Sequence, residues 1–156
     1  MLIALASGSI EGVQSLLIYL VIYLITTVGS WTFILALNKF DIISKQKKRL
    51  VYINDLNYLG YDNPLLAFTR TIIIFSIAGI PPLAGFCAKI YVLFAAIESS
   101  LYFLSFVAVL TSCIGAFYYI RFIKVMYFEN KNKSQFYFKL DRQKSILLGI
   151  CFFLIL

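Results

Sequence analysis

A single lysine follows an interruption in the longest apolar stretch of this sequence. Residues 76–90 read SIAGIPPLAGFCAKI, in which two prolines lie between two glycines and Lys89 comes about one helical turn later. Proline removes a backbone donor and glycine allows the chain to unwind, so a helix is interrupted here. In a membrane, a lysine beside an interrupted helix is the arrangement expected of an ion or proton pathway. The residues predicted to form the interruption are Gly79, Pro81, Pro82 and Gly85.

The composition of the chain predicts that this stretch lies in a membrane. Of the 156 residues, 62% are hydrophobic and 13% are charged, whereas soluble domains have about 45–50% apolar and about 25% charged residues. A spanning helix needs about 20 predominantly apolar residues. We therefore predict an all-α fold, a polytopic membrane helix bundle. Its predicted spans cover about 12–37, 65–97, 101–128 and 145–156.

The run 65–97 is too long for one continuous crossing. As an unbroken helix it would extend about 50 Å, whereas the hydrocarbon core is about 30 Å thick. We predict that the helix is broken near 79–85. Backbone groups freed by a break cannot face lipid, so the break must be enclosed by protein or line a hydrated cavity.

Both ends of the sequence are too short to span. Residues 1–6 form about two turns, and the run 145–156 would extend only about 18 Å as a helix. We interpret Met1 to Ala6 as the last turns of a helix whose beginning lies on another polypeptide or has been removed. The residues 1–156 are thus predicted to be a fragment of a single membrane domain.

The charged residues predict how the chain crosses the membrane. The loop 38–64 carries a net charge of +2 and the segment 121–145 a net charge of +5. In the other two turns, SGSIEG and AIESSLY, the only charged residues are Glu11 and Glu98. The basic loops 38–64 and 129–144 therefore fall on one face and the acidic turns on the other, as the positive-inside rule requires. The basic residues at 45–49 set topology or contact anionic lipids, and no nucleic-acid partner is predicted.

The inventory of metal-binding side chains is small. The sequence has no histidine, and Cys87, Cys113 and Cys151 lie far apart in apolar runs. A zinc, haem or iron–sulfur site formed by this chain alone is therefore not predicted. The cysteines are expected to be small buried apolar residues.

Lys89 has two physical explanations. It lies eight residues before Ile97, well inside its predicted span, where a charge costs about 2.5–3.5 kcal/mol on insertion scales. The amine either belongs to a proton pathway or snorkels about two turns toward Glu98. Arg70, six residues into the same span, lies close to the basic face and is predicted to snorkel.

Several hydroxyl groups within the predicted spans could line a polar path near Lys89. Packing is the simpler explanation for each, because a helix can satisfy hydroxyls by bonding them to its own carbonyls or to neighbouring helices. The candidates for the lining are Tyr23, Thr26, Thr27 and Ser76, and the other polar residues in the spans include Ser30, Thr111, Ser112, Tyr118 and Tyr119.

The chain closely resembles a known family in the stretches FSIAGIPPLAGFCAKIYVLFAAI, CIGAFYYIRFIKVMYF and LDRQKSILLGI. They are similar to the C-terminal part of the subunit 2 family of mitochondrial NADH:ubiquinone oxidoreductase, respiratory complex I. The stretches SGSIEGVQSLLIYLVIYLITT and YINDLNYLGYDNPLLAF extend the resemblance over nearly the whole chain. The block AGIPPLAGF with a lysine three positions later is typical of the wider antiporter-like family.

The resemblance implies a bundle of two inverted repeats, each with a discontinuous helix and a central chain of lysine and acidic residues that relays protons. The segment 65–97 matches the broken helix of the second repeat. Lys89 matches its buried lysine, a proton carrier on the half-channel leading out of the matrix, and the basic loops would face the matrix. The first repeat has no counterpart here, and Arg70 stands where relatives usually have a small hydroxyl residue.

The function implied is that of a proton-translocating membrane-arm subunit, the C-terminal fragment of a split subunit 2, in the mitochondrial inner membrane. The implied partners are other membrane-arm subunits, a separate chain supplying the N-terminal part, and membrane lipids. No cofactor is expected in this chain, because FMN, iron–sulfur clusters and ubiquinone would belong to the complex as a whole. The alternatives are a structural or assembly subunit without a proton path, and a subunit of a cation/proton antiporter.

Overall fold

The computed structural model of the protein describes residues 1–36, 38–41, 46–49, 56, 59–128 and 141–156. Seven helices are assigned in this part of the chain, together with one two-stranded antiparallel ribbon. The helices are α1 Leu2–Ala6, α2 Ile10–Ala36, α3 Leu59–Asp62, α4 Pro64–Ala78, α5 Ala84–Glu98, α6 Tyr102–Phe128 and α7 Arg142–Ile155, and the strands are β1 Asn38–Asp41 and β2 Gln46–Arg49.

The predicted fold class, an all-α membrane helix bundle with a discontinuous helix, is confirmed. Helices α2 and α6 each have 27 residues, which extend about 40 Å. Both are long enough and apolar enough to cross a membrane. Helices α4 and α5 have 15 residues each, about 22 Å, so neither crosses a core of about 30 Å alone. The ribbon of β1 and β2 follows α2 and was not predicted.

Helix α2 lies at the centre of the bundle, where it packs against α4, α5 and α7. Gly29 allows this close approach, because a Cβ atom at this position would lie 3.1 Å from the Ile73 Cδ1 atom of α4 and 3.2 Å from the Cys151 Cβ atom of α7. Small residues at helix contacts are typical of membrane bundles, where packing rather than exclusion of water holds helices together. The core contains Phe33, Leu59, Ile73, Met126 and Ile155, all fully buried.

Helix α6 lies at the periphery of the chain. Only Val125 and Met126, near its C-terminal end, are buried, whereas large apolar side chains such as Phe103 and Phe117 are exposed. An exposed apolar helix surface is suited to lipid or to other helices rather than to water. This surface is therefore a membrane or subunit surface.

The two acidic turns lie together at one end of the bundle, as the charge pattern predicts. A hydrogen bond with the Glu11 side chain, together with the Glu11 charge, raises the pKa of the exposed Glu98 carboxyl group. At the opposite end, the Nζ atom of Lys144 donates to the carbonyl of Leu35, 3.2 Å away, at the end of α2. Most of the predicted basic loop 129–144, and part of the loop 38–64, lie outside the described residues.

Candidate functional site

The helix break separates α4 from α5, and backbone hydrogen bonds cap the C-terminal end of α4 at the break. Gly79 adopts the left-handed conformation, with φ 84°, which a residue without a Cβ atom adopts at low cost. Its N–H donates to the Ser76 carbonyl at 3.1 Å, and the Ile80 N–H donates to the Phe75 carbonyl at 3.1 Å. This pair of bonds is a Schellman motif, which satisfies two of the last four carbonyls of a helix.

Lys89 satisfies the remaining two carbonyls. Its Nζ atom lies 2.7 Å from the carbonyl oxygen of Ala78 and 3.0 Å from that of Ile77. A cation at the C-terminal end of a helix also interacts favourably with the helix dipole. The amine therefore points toward the break and away from Glu98, which lies nine residues or about 14 Å further along α5. The snorkelling alternative for Lys89 does not describe this geometry.

Two glycines leave the space that the Lys89 side chain and the first turn of α5 occupy. A Cβ atom at Gly79 would lie 2.8 Å from the Cδ atom of Lys89 and 2.9 Å from its Nζ atom. At Gly85, a Cβ atom would collide with the backbone of Ser76. The N–H of Gly85 donates to the Ser76 Oγ atom at 3.1 Å. The glycines of the break thus permit close contacts as well as unusual backbone angles.

Lys89 faces a cavity of about 540 Å³ between α2, α4, α5 and α6, which is lined by apolar side chains and by several hydroxyl groups. The sequence-predicted lining residues are brought together with it, since all four border the cavity. Side chains of α6 complete the opposite wall. The lining includes Tyr23, Thr26, Thr27 and Ser76, and also Tyr19, Ser30, Thr111, Ser112 and Tyr119.

The hydroxyl groups of the cavity wall are satisfied largely within their own helices. Thr26 donates to the Tyr23 carbonyl at 3.0 Å, and Ser112 donates to the Val109 carbonyl at 2.8 Å. A hydroxyl that donates in this way keeps lone pairs that can accept a further hydrogen bond. The wall therefore presents acceptors to whatever enters the cavity, next to the Lys89 donor.

Arg70 is buried, so the prediction that it snorkels to the basic face is wrong. Only 7% of the side chain is exposed. Its Nη1 atom donates to the Ser30 Oγ atom at 2.7 Å, and its guanidinium carbon lies 4.8 Å from the centre of the Phe33 ring and 5.3 Å from that of Phe122. Helices α2 and α6 supply these partners, and a guanidinium group stacks well on aromatic rings.

Two of the three cysteines differ from the expectation that all are buried, and one tyrosine that was not among the lining candidates borders the cavity. Cys151 is buried, but Cys87 and Cys113 are exposed, because they lie on faces of α5 and α6 that no described residue covers. Tyr118 is exposed beside Phe117 and does not border the cavity. Tyr19, by contrast, borders the cavity and stacks on Tyr23 with ring centres 6.3 Å apart. The spacing of four residues between the two tyrosines was the signal that could have identified it.

The interrupted helix, its lysine and the adjoining cavity are features of the class of membrane proteins with discontinuous helices. The chain belongs to the NADH:quinone oxidoreductase/Mrp antiporter transmembrane family, whose model matches residues 1–115. The resemblance seen in the sequence is thereby confirmed.

Individual relatives agree with this family. The chain is 47% identical to "NADH-ubiquinone oxidoreductase chain 2" of Marchantia polymorpha over 99% of its own length, and 46% identical to "NADH-quinone oxidoreductase subunit N 1" of Rhizobium meliloti over 82%. It covers 30% and 26% of these relatives, respectively. The chain therefore spans less than a third of the length of the curated relatives that it matches.

A solved structure shares the fold. "Respiratory complex I from Thermus thermophilus with bound Aureothin" contains a chain that superposes with a TM-score of 0.75, at 21% sequence identity. The superposition covers 98% of this protein and 33% of that chain. The arrangement of helices described above is thus one that occurs in a respiratory complex.

Proposed function

We propose that this protein is a proton-translocating membrane-arm subunit of a respiratory NADH:ubiquinone oxidoreductase, in which Lys89 carries the proton. The observation that carries the proposal is the position of the Lys89 amine, on the carbonyls of Ile77 and Ala78 at the edge of a cavity that contains hydroxyl groups. The 47% identity to a relative named as chain 2 of this enzyme supports the assignment to that complex.

The surroundings of Lys89 suit a group that gains and loses a proton. An ammonium group has three donors, and two of them meet the carbonyls of α4, so the third is free to donate into the cavity. A cavity of about 540 Å³ has room for several water molecules, and its hydroxyl oxygens can accept hydrogen bonds from them. A proton could therefore pass between the amine and a hydrogen-bonded chain in the cavity.

The carbonyl contacts explain how the charge on Lys89 could respond to its surroundings. The end of α4 favours the charged form through its dipole, whereas partial burial disfavours a charge. The balance between these opposing effects is altered by a nearby charge or by a movement of α5 relative to α4. We infer that energy from electron transfer reaches Lys89 as such a change, and that NADH oxidation and quinone reduction occur on other subunits, which hold FMN, iron–sulfur clusters and ubiquinone.

We also propose that a separate chain supplies the N-terminal part of subunit 2, in the mitochondrial inner membrane. The chain spans about 30% of its chain 2 relative. Tyr23 borders the cavity yet is exposed in this chain alone, and polar groups in a membrane normally face protein or a water-filled space. Native purification followed by mass identification of the partner chains tests this proposal; a purified complex that lacks any such chain would contradict it.

The test of the proton-carrying role is Lys89→Met in the assembled complex. We expect a lower ratio of protons pumped to electrons transferred, because methionine fills a similar volume and cannot bind a proton. Lys144→Met is the matched control, since Lys144 also donates to a helix-terminal carbonyl but lies at the bundle end away from the acidic turns. An unchanged ratio in Lys89→Met would overturn the proposal.

A further inference from the structure

The position of Lys89 depends on how α5 is held against the end of α4. Among the described residues, two side chains form hydrogen bonds across the break. Lys89 donates to carbonyls of α4, and Ser76 of α4 accepts the N–H of Gly85. In both contacts α5 donates and α4 accepts, but the side chain comes from α5 in one and from α4 in the other. Each half-helix therefore supplies a side chain that satisfies the terminus of the other.

Ser76 completes the N-terminal end of α5. Helix α5 begins at Ala84, and the preceding residue, Leu83, forms no side-chain cap. The first amides of a helix have no partner within the helix, so the Ser76 hydroxyl takes the part that an N-cap side chain normally plays. Ser76 is only 1% exposed, and the buried Gly85 amide would otherwise lack this acceptor.

The bond to Ser76 is aligned with Lys89. Gly85 and Lys89 are four residues apart in α5 and therefore lie on the same face, one turn above each other. Gly85 has no side chain, which lets the first turn of α5 contact the backbone at Ser76 directly. Fixing Gly85 against Ser76 consequently fixes both the height and the rotation of the turn that carries Lys89.

We propose that Ser76 is a positioning residue for Lys89, which sets the first turn of α5 through the Gly85 N–H and so directs the Lys89 amine to the carbonyls of Ile77 and Ala78. The expected effect of Ser76 on pumping rests on the proposed function of Lys89. Its structural part, the anchoring of α5, stands on the hydrogen bonds across the break.

The experiment compares Ser76→Ala and Ser76→Thr in the assembled complex. Hydrogen–deuterium exchange of peptides covering 79–89 reports the anchoring, and the ratio of protons to electrons reports its consequence. We expect exchange on the order of tenfold faster in Ser76→Ala, because a buried amide loses its acceptor, together with a lower proton ratio. Threonine keeps the hydroxyl acceptor, so Ser76→Thr should restore both readouts.

Ser105→Ala is the matched control, because the Ser105 hydroxyl bonds within its own helix, to the Tyr102 carbonyl at 2.8 Å, and does not border the cavity. Ser76→Cys, which keeps the shape but is a weaker acceptor, should give an intermediate increase in exchange and replaces Ser76→Ala if that variant does not assemble. Exchange in Ser76→Ala or Ser76→Cys equal to the unsubstituted complex would overturn the proposal, and so would failure of threonine to restore it. Faster exchange with an unchanged proton ratio would show that Ser76 anchors α5 without positioning Lys89 for pumping, and would overturn that part of the proposal. The pumping role of Lys89 itself is tested separately by Lys89→Met.

Discussion

Arg70 and Lys89 are two cations on the two halves of one interrupted helix, and their surroundings differ. Arg70 of α4 is buried between the rings of Phe33 and Phe122, with one hydrogen bond to a serine hydroxyl. Lys89 of α5 is half-buried, donates to two backbone carbonyls and faces a cavity with hydroxyl groups in its wall. One charge is enclosed by aromatic packing, and the other has access to a hydrogen-bonding space.

The difference separates a fixed charge from an exchangeable one. A guanidinium group keeps its proton in proteins, whereas a lysine amine can release one when its surroundings change. Arg70 therefore has the side chain and the site of a packing residue, and Lys89 has those that the proposed proton carrier requires. An intramembrane cation is a functional hypothesis by default, but its contacts decide which function that is.

The largest expected effect comes from Lys89→Arg. The variant retains a positive charge and donors for the carbonyls of α4, but it should pump as poorly as Lys89→Met, because arginine does not release a proton at neutral pH. The measurement is the initial rate of vesicle acidification per electron transferred. Pumping close to the unsubstituted rate would break the distinction between the two cations.

A smaller loss is expected from Gly79→Ala. An L residue at φ 84° is strained by about 1–2 kcal/mol, and the added Cβ atom would meet the Lys89 side chain at 2.8 Å. We expect pumping to fall several-fold, since the amine is displaced from its carbonyls. Gly8→Ala is the control, because Gly8 has a similar φ of 61° but nothing within 4 Å of an added Cβ atom. Equal effects in the two variants would show that strain alone matters.

Arg70→Lys should lower stability without changing the proton ratio. Lysine stacks less well on aromatic rings and cannot form the planar contacts of a guanidinium group, so a loss of about 1–2 kcal/mol is expected. The midpoint of thermal inactivation of the complex measures it. Arg121→Lys, at an exposed position of α6, is the control and should leave the midpoint unchanged. A reduced proton ratio in Arg70→Lys would assign Arg70 to the pathway.

The smallest effect is expected from Glu98→Gln. The amine of Lys89 is directed to the break, so pumping should be unchanged, whereas a lysine that snorkels to the acidic face would respond. A change in the proton ratio of this variant would therefore favour the snorkelling geometry.

The same variant tests the contact between the acidic turns. Because Glu11 raises the pKa of Glu98, the native state binds an additional proton above the ordinary glutamate pKa. The stability contributed by this contact is present at low pH and falls as the pH rises through the raised pKa. Glutamine cannot titrate, so the difference in thermal midpoint between about pH 5 and about pH 8 should become smaller in Glu98→Gln. An identical pH dependence would show that the pair is not coupled.

Much of the fold follows from where charges interrupt apolar runs. The predicted spans 12–37 and 101–128 end within two residues of α2 and α6, because a span must stop where polar residues begin. The strands β1 and β2 were not anticipated, since NKFD and QKKR lack the alternating apolar pattern of a strand.

The sequence identified residues of the candidate site, but it could not predict the hydrogen bonds that they form. Composition and spacing bring Lys89, Tyr23 and Ser76 into consideration. The two carbonyls that bind Lys89 depend on the direction in which the chain leaves Gly79, which sequence does not define. The burial of Arg70 depends on Ser30, 40 residues earlier in the chain, and such long-range packing has no local signature.

The most direct test of the account is whether Lys89 changes its protonation during turnover. Infrared difference spectra of the assembled complex, with lysine labelled with nitrogen-15, would detect ammonium bands that shift with the label. The account predicts a turnover-dependent lysine band that disappears in Lys89→Met and persists in Lys144→Met. The same band in the Lys89→Met complex would contradict the claim that Lys89 carries the proton.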